Sequence, residues 1–212
     1  MTNILFVTSS PRGAASHSTK VAEQVLAGLI EREPGASVVR RDLSANPLPH
    51  LGEDYLGALF SAPEGWTEEQ RALVGISDTL VDEVFAADVI VIASAMINFS
   101  VPSTLKTWLD YVARAGKTFS YGEAGPKGLI TGKRVVLVES KGGIYSEGPM
   151  KAHDHQLPYL RFILAFLGMT DVEVIQVEGV NLGPDIAVAA VEKATTQAGA
   201  TAKAISDQRQ AA

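Results

Sequence analysis

Residues 93–119 read ASAMINFSVPSTLKTWLDYVARAGKTF, and their interpretation decides the fold. Just before them, after Asp88, runs Val89-Ile-Val-Ile-Ala93, an uninterrupted apolar stretch. It is too short for a helix and does not alternate, as expected of a strand covered on both faces in a parallel sheet. The run stops at Ser94. Met96-Ile97-Asn98-Phe99 follow, then Pro102, then an amphipathic helix pattern from about Ser103 to Ala115. An asparagine and a phenylalanine thus stand where a buried strand has just ended, the place where open α/β sheets bind ligands.

The same strand-then-helix pattern recurs on either side. Ile4–Val7 is a first buried strand, followed by the small, polar loop SSPRGAASHS and a helix from about Thr19 to Arg32 with Val21, Val25, Leu26 and Leu29 on one face. Ser37–Asp42 is a second strand, nearer the sheet edge because it carries charges. Residues 43–66 read as a long loop with a short helix, containing Tyr55, Phe60 and Trp66. A helix over Glu68–Phe85 leads into the third strand, Asp88–Ala93. Lys117–Lys133 is Gly-rich and reads as an irregular excursion. Arg134–Glu139 is the fourth strand and runs into Ser140-Lys141-Gly142-Gly143. A helix over His153–Leu167 is stopped by Gly168, Val172–Val177 is the fifth strand, and Asp185–Ser206 is a last helix before a frayed tail beyond Asp207. Five strands alternating with helices imply an α/β fold: one domain over residues 1–212, with a flavodoxin-like, doubly wound five-stranded parallel sheet of order 2-1-3-4-5. Its ligand lies beyond the C-terminal ends of strands 1 and 3.

Composition narrows the ligand. A chain with 46% hydrophobic and 20% charged residues is an ordinary globule, and a net charge of −6 argues against a nucleic-acid or acidic-membrane partner. A phosphate-bearing ligand must therefore be held by local donors. The absence of cysteine excludes disulfides and thiolate chemistry, and the opening MTNILFVTSS reads as a strand with no basic n-region, so no signal peptide is expected. No apolar run approaches the roughly 18 residues of a membrane helix, so a cytoplasmic location is expected.

Three loops share the ligand rim. Ser10, Ser16 and Ser18, with His17 at a helix start, offer hydroxyl and backbone N–H donors suited to a terminal phosphate; an ordinary helix cap is the competing reading. Met96, Ile97, Asn98 and Phe99 suit the edge and face of a flat heterocycle, though on their own they read better as a capping turn with Phe99 in the core. Ser140, Lys141, Gly142 and Gly143 form a turn in which paired glycines allow positive φ and a close backbone approach. The chain lacks a dinucleotide fingerprint, a P-loop and a Gly-x-Ser-x-Gly elbow. His153-Asp154-His155 reads as a solvated first turn, and no metal is expected.

Taken together, Met96–Phe99, Val101-Pro102-Ser103-Thr104-Leu105-Lys106 and the run Asp110–Phe119 resemble the FMN-dependent NADH-azoreductase and NADH:quinone oxidoreductase family. That family commonly has Pro-Met-Tyr-Asn-Phe, then Pro-Ser-x-Leu-Lys and Arg-Ala-Gly-x-Thr-Phe. The resemblance implies a flavodoxin-fold homodimer with one FMN per subunit at the interface. It also implies that NADH reduces the FMN and leaves before a quinone or azo compound takes two electrons in the same place, with no obligatory catalytic acid or base on the protein. By resemblance, Ser10, Ser16, His17 and Ser18 hold the phosphate, Met96–Phe99 border the isoalloxazine, and Ser140–Gly143 support its far edge. Phe60, Phe119 and Tyr121 are then weaker candidates for lining the acceptor site. Two positions depart from the pattern: Ala95 stands for a common Pro and Ile97 for a common Tyr. An NADPH-dependent flavin or metal-ion reductase and a flavodoxin-like electron carrier are the alternatives on the same fold.

Overall fold

The computed structural model describes residues 1–123 and 125–210. In chain order the strands are β1 (Asn3–Thr8), β2 (Ser37–Asp42), β3 (Val89–Ala95), β4 (Phe119–Gly122), β5 (Gly125–Gly128), β6 (Arg134–Lys141) and β7 (Asp171–Glu178). The helices are α1 (His17–Arg32), α2 (Glu53–Leu59), α3 (Glu68–Ala86), α4 (Ser103–Val112), α5 (Leu157–Leu167) and α6 (Pro184–Gln210). β2-β1-β3-β6-β7 form one sheet whose four pairings are all parallel, the 2-1-3-4-5 order expected.

Burial explains the sequence pattern. Val89–Ser94 of β3 are buried throughout because the strand is central and has a helical layer on each face. Odd-numbered β6 residues such as Val135 and Leu137 pack with Trp108 and Leu109 of α4 and with Leu160 and Leu164 of α5. Val136 and Val138 face the other way, towards Val25 and Leu29 of α1 and Ala198 and Ala202 of α6. Each fully buried aliphatic side chain in these layers contributes roughly 1.5–3 kcal/mol. β2, at the edge, has no fully buried residue, which is why it tolerates Arg40 and Arg41.

Several boundaries differ from the sequence reading for local reasons. α4 ends at Val112 instead of Ala115, because Thr118 Oγ1 donates to the carbonyl of Val112 and accepts the N–H of Arg114, turning the chain out of the helix. The Gly-rich excursion contains the antiparallel hairpin β4–β5. Residues 149–153 are a separate 3-10 turn, and α5 begins only at Leu157; Gly168 ends it at φ 103°, as anticipated. α6 continues to Gln210, past the expected fraying point.

Candidate functional site

The C-terminal ends of β1, β3 and β6 meet at a cleft of about 150 Å³, lined by Ser10, Arg12, Ser16 and His17 from one loop, Ala95–Ile97 from the next, and Ser140 and Gly142 from the third. Val180 and Asn181, from the loop after β7, complete it. A further hollow of about 430 Å³ lies at the opposite end of the sheet against Asn3, Val39 and Asp82, away from every residue singled out above.

The first wall is the start of α1. Ser16 caps the helix by accepting the N–H of Thr19 at 3.4 Å, and its hydroxyl lies 3.0 Å from that of Ser18. The capping role and a place in the cleft wall therefore belong to the same residue. Ser18 is fully buried and does not line the cleft; its hydroxyl is engaged with Ser16. The N–H groups of His17 and Ser18, in the first turn of α1, have no helical acceptor, so the helix end presents donors and positive potential. The His17 imidazole is held below its ordinary value, first by burial and then by the charges of Arg12 and Lys20. The loop is thus locally electropositive on a chain with net charge −6, as an anion cradle requires.

The second wall is strained. Ile97 and Ser100 exchange both backbone hydrogen bonds, at 2.9 and 3.0 Å, around Asn98 and Phe99 at φ 47° and 71°. Two successive positive φ values are the signature of a type I′ turn, which ordinarily takes Asn-Gly. Phenylalanine in the second position costs of order 1–3 kcal/mol, strain that must be held by the surroundings. Phe99 is 48% exposed, so it is not the core aromatic that one reading of this loop allowed. Its carbonyl accepts the N–H of His155 at 3.0 Å, and its ring meets that of Tyr145 edge-on at 6.4 Å.

The third wall differs from the expectation for paired glycines. Neither Gly142 nor Gly143 is among the positive-φ residues. A Cβ at Gly142 would lie 2.5 Å from Asn181 Nδ2, so a larger residue there would displace the Asn181 amide from the cleft wall. Ser140 faces the cleft and accepts the N–H of Met96 at 2.8 Å, tying the second and third loops together. The Lys141 side chain is fully buried and points away, with its ammonium 2.6 Å from Asp154 and 3.3 Å from Glu139. Asp154 is therefore the partner of a lysine and not part of a solvated first turn.

The three weaker candidates do not line this cleft. Phe60 is 89% exposed at the end of α2 and Tyr121 is 74% exposed on the hairpin. Phe119 is 8% exposed, wedged between Tyr121 and Phe166. Asn181 was missed from sequence, although Val-Asn-Leu-Gly-Pro after the last strand marks a fourth loop at the same rim.

A profile described as flavodoxin-like fold matches residues 2–202. An FMN-dependent NADH:quinone oxidoreductase of Mesorhizobium japonicum is 53% identical over 195 residues, covering 92% of this chain and 93% of that one. The chain belongs to this family. Among solved structures, an azoreductase from Bacillus anthracis str. Sterne superposes with a TM-score of 0.88 at 36% identity, over 95% of this chain and 99% of that one. An FMN-dependent NADH-azoreductase from Bacillus anthracis str. Ames Ancestor, solved in complex with FMN, shares the fold at a TM-score of 0.86 and 24% identity, over 95% and 100% of the two chains. The family's common Tyr is Ile97 here, and Ile97 lines both the cleft and a wider hollow of about 530 Å³ that reaches Lys106 and Tyr159.

Proposed function

We propose that the protein is an FMN-dependent NADH:quinone oxidoreductase that also reduces azo compounds, with residues 1–212 as one FMN-binding domain. The observation that carries this reading is the meeting, in one cleft, of an electropositive helix start bearing Ser10 and Ser16 with the Ala95–Ile97 segment, which leads directly into the strained Asn98–Phe99 turn. These residues fit FMN. Ser10, Ser16 and the unpaired N–H groups of His17 and Ser18 would hold the phosphate. Met96–Phe99 would border the isoalloxazine, with backbone of Ser140–Gly143 and the Asn181 amide at its far edge. When bound, the flavin supplies hydride acceptance from NADH and two-electron delivery to the acceptor.

The protein's own part is then binding, orientation and exclusion. The Phe99 and Tyr145 rings would shield one side of the site from water, and the aliphatic Ile97 is placed to shape what approaches the ring. Among the described residues no helix is long and apolar enough to cross a membrane, and a cytoplasmic enzyme taking small quinones is the reading adopted. A homodimer is supported by a line of aromatic rings: exposed Tyr121 packs on Phe119, Phe119 on Phe166, and Phe166 on Phe162, itself 68% exposed. Large exposed apolar groups in one patch are usually covered by association.

The purified protein should be yellow, release FMN and not FAD on denaturation, and bleach promptly with NADH in the absence of oxygen before being reoxidised by a quinone. A colourless protein that cannot be reconstituted with FMN would overturn the reading. A yellow protein that NADH does not bleach would instead be an electron carrier.

A further inference from the structure

Lys141 was expected to support the ligand directly, yet its side chain is 0% exposed and is absent from the cleft wall. A fully buried ammonium survives only with close compensation. Three carboxyl groups surround this one: Asp154 at 2.6 Å, Glu139 at 3.3 Å and Glu178 at 3.9 Å. Two of these also hold rim segments that lie far apart in sequence. The second oxygen of Asp154 accepts the N–H groups of Gln156 and Leu157, at 2.9 and 3.1 Å, and so fixes the start of α5. Within that segment, His155 donates to the carbonyl of the strained Phe99. Glu178 accepts the N–H of Tyr145 at 2.9 Å and the hydroxyl of Ser146 at 2.5 Å. Phe99, two residues beyond the cleft-lining Ile97, and Tyr145 are the two residues whose rings meet edge-on at 6.4 Å.

We propose that Lys141 is a positioning residue of the flavin site: its buried ammonium fixes the Asn98–Phe99 turn relative to the Tyr145–Ser146 loop without touching the ligand. The inference rests on the flavin reading above. Without the positive charge, Asp154 and Glu178 would repel one another across a few ångströms of low-dielectric interior, and the two walls they anchor would separate. The phosphate cradle at the start of α1 takes no part in this network and would be unchanged.

The test uses flavin-free protein titrated separately with FMN and riboflavin, following quenching of flavin fluorescence. Asp154→Asn keeps an oxygen for the Gln156 and Leu157 N–H groups but weakens the tie to Lys141; Lys141→Met removes the charge, and if it does not fold, Asp154→Asn decides alone. Both flavins should lose affinity by the same factor, about fivefold or more, because riboflavin shares the ring and lacks only the phosphate. The visible circular dichroism of the bound flavin should change with it. Unchanged riboflavin affinity in folded Asp154→Asn, with at most a lower Tm, would reduce the network to a fold stabiliser and overturn the proposal. A loss confined to FMN would overturn it too, by placing the ammonium's effect on the phosphate. Wild-type protein that bound neither flavin would remove the flavin reading itself, an outcome distinct from wild-type binding that the variants leave intact.

Discussion

Replacing Glu139 by glutamine should make the protein more stable at neutral and alkaline pH. Glu139 lies in β6 with a side chain 0% exposed, and neither carboxylate oxygen has a well-aligned hydrogen bond. Burial pushes its carboxyl from 4.5 up to about 7; the Lys141 ammonium pulls the other way, Asp154 adds a smaller upward push and Gln176 a smaller downward one. The groups facing it are therefore Lys141 from its own strand, Asp154 from the segment before α5, and Gln176 with Glu178 from β7. Between pH 4.5 and about 7 the folded protein keeps a proton that the unfolded chain has released, so this group's stability is lost as pH rises through that window. At ~1.4 kcal/mol per pH unit the full effect is roughly 3 kcal/mol. Glutamine mimics the protonated acid and cannot ionise. Urea unfolding of the flavin-free protein should show the variant gaining on the wild type by roughly 2–3 kcal/mol between pH 5 and pH 8. A gap that stays constant would refute the argument. A wild type that gains on the variant as pH rises would show that Glu139 is ionised and paired with Lys141 in the folded state.

The remaining predictions concern the site and the assembly. Ser10→Ala with Ser16→Ala removes two hydroxyls from the cleft wall, each hydrogen bond to a charged group being worth about 1.5–3 kcal/mol, so FMN affinity should fall by at least about tenfold while riboflavin affinity changes little. Loss of the Ser16 cap should separately lower stability by ~1 kcal/mol, and equal losses for both flavins would mean the serines serve the helix alone. Ile97→Tyr restores an aromatic face at the divide between the cleft and the wider hollow. It should lower KM for large planar azo dyes and leave small benzoquinones and FMN content unchanged; identical KM shifts for both acceptors would remove position 97 from the acceptor site. Tyr121→Ser with Phe162→Ser should turn a dimer into a monomer by light scattering at micromolar concentration, and a fully active wild-type monomer would sink the interface.

The sheet and its order were legible from the sequence because they depend on local, repetitive information. Val89–Ala93 and Val135–Val138 are apolar on both faces since helices cover both sides of the sheet, and that condition alone fixes their pattern. With these two at the centre of five strands joined by helices, right-handed crossovers leave few orders to choose from. The positions of Ser10, Ser16, Met96 and Ile97 at one rim followed from the same rule, because strand ends in a parallel sheet all point the same way. What the tertiary structure decided is which distant groups meet. Sequence suggested positive φ at Gly142 and Gly143, but the strained pair is Asn98–Phe99, held by an N–H from His155. Gly142 leaves room for the side-chain amide of Asn181, 39 residues further along the chain by the difference of their numbers. Lys141 looked like a ligand-facing cation until Asp154 and Glu178 closed over it. Each of these outcomes depends on a partner brought in by the fold, whose distance and orientation no local pattern encodes, whereas strand burial depends only on there being a layer on each side.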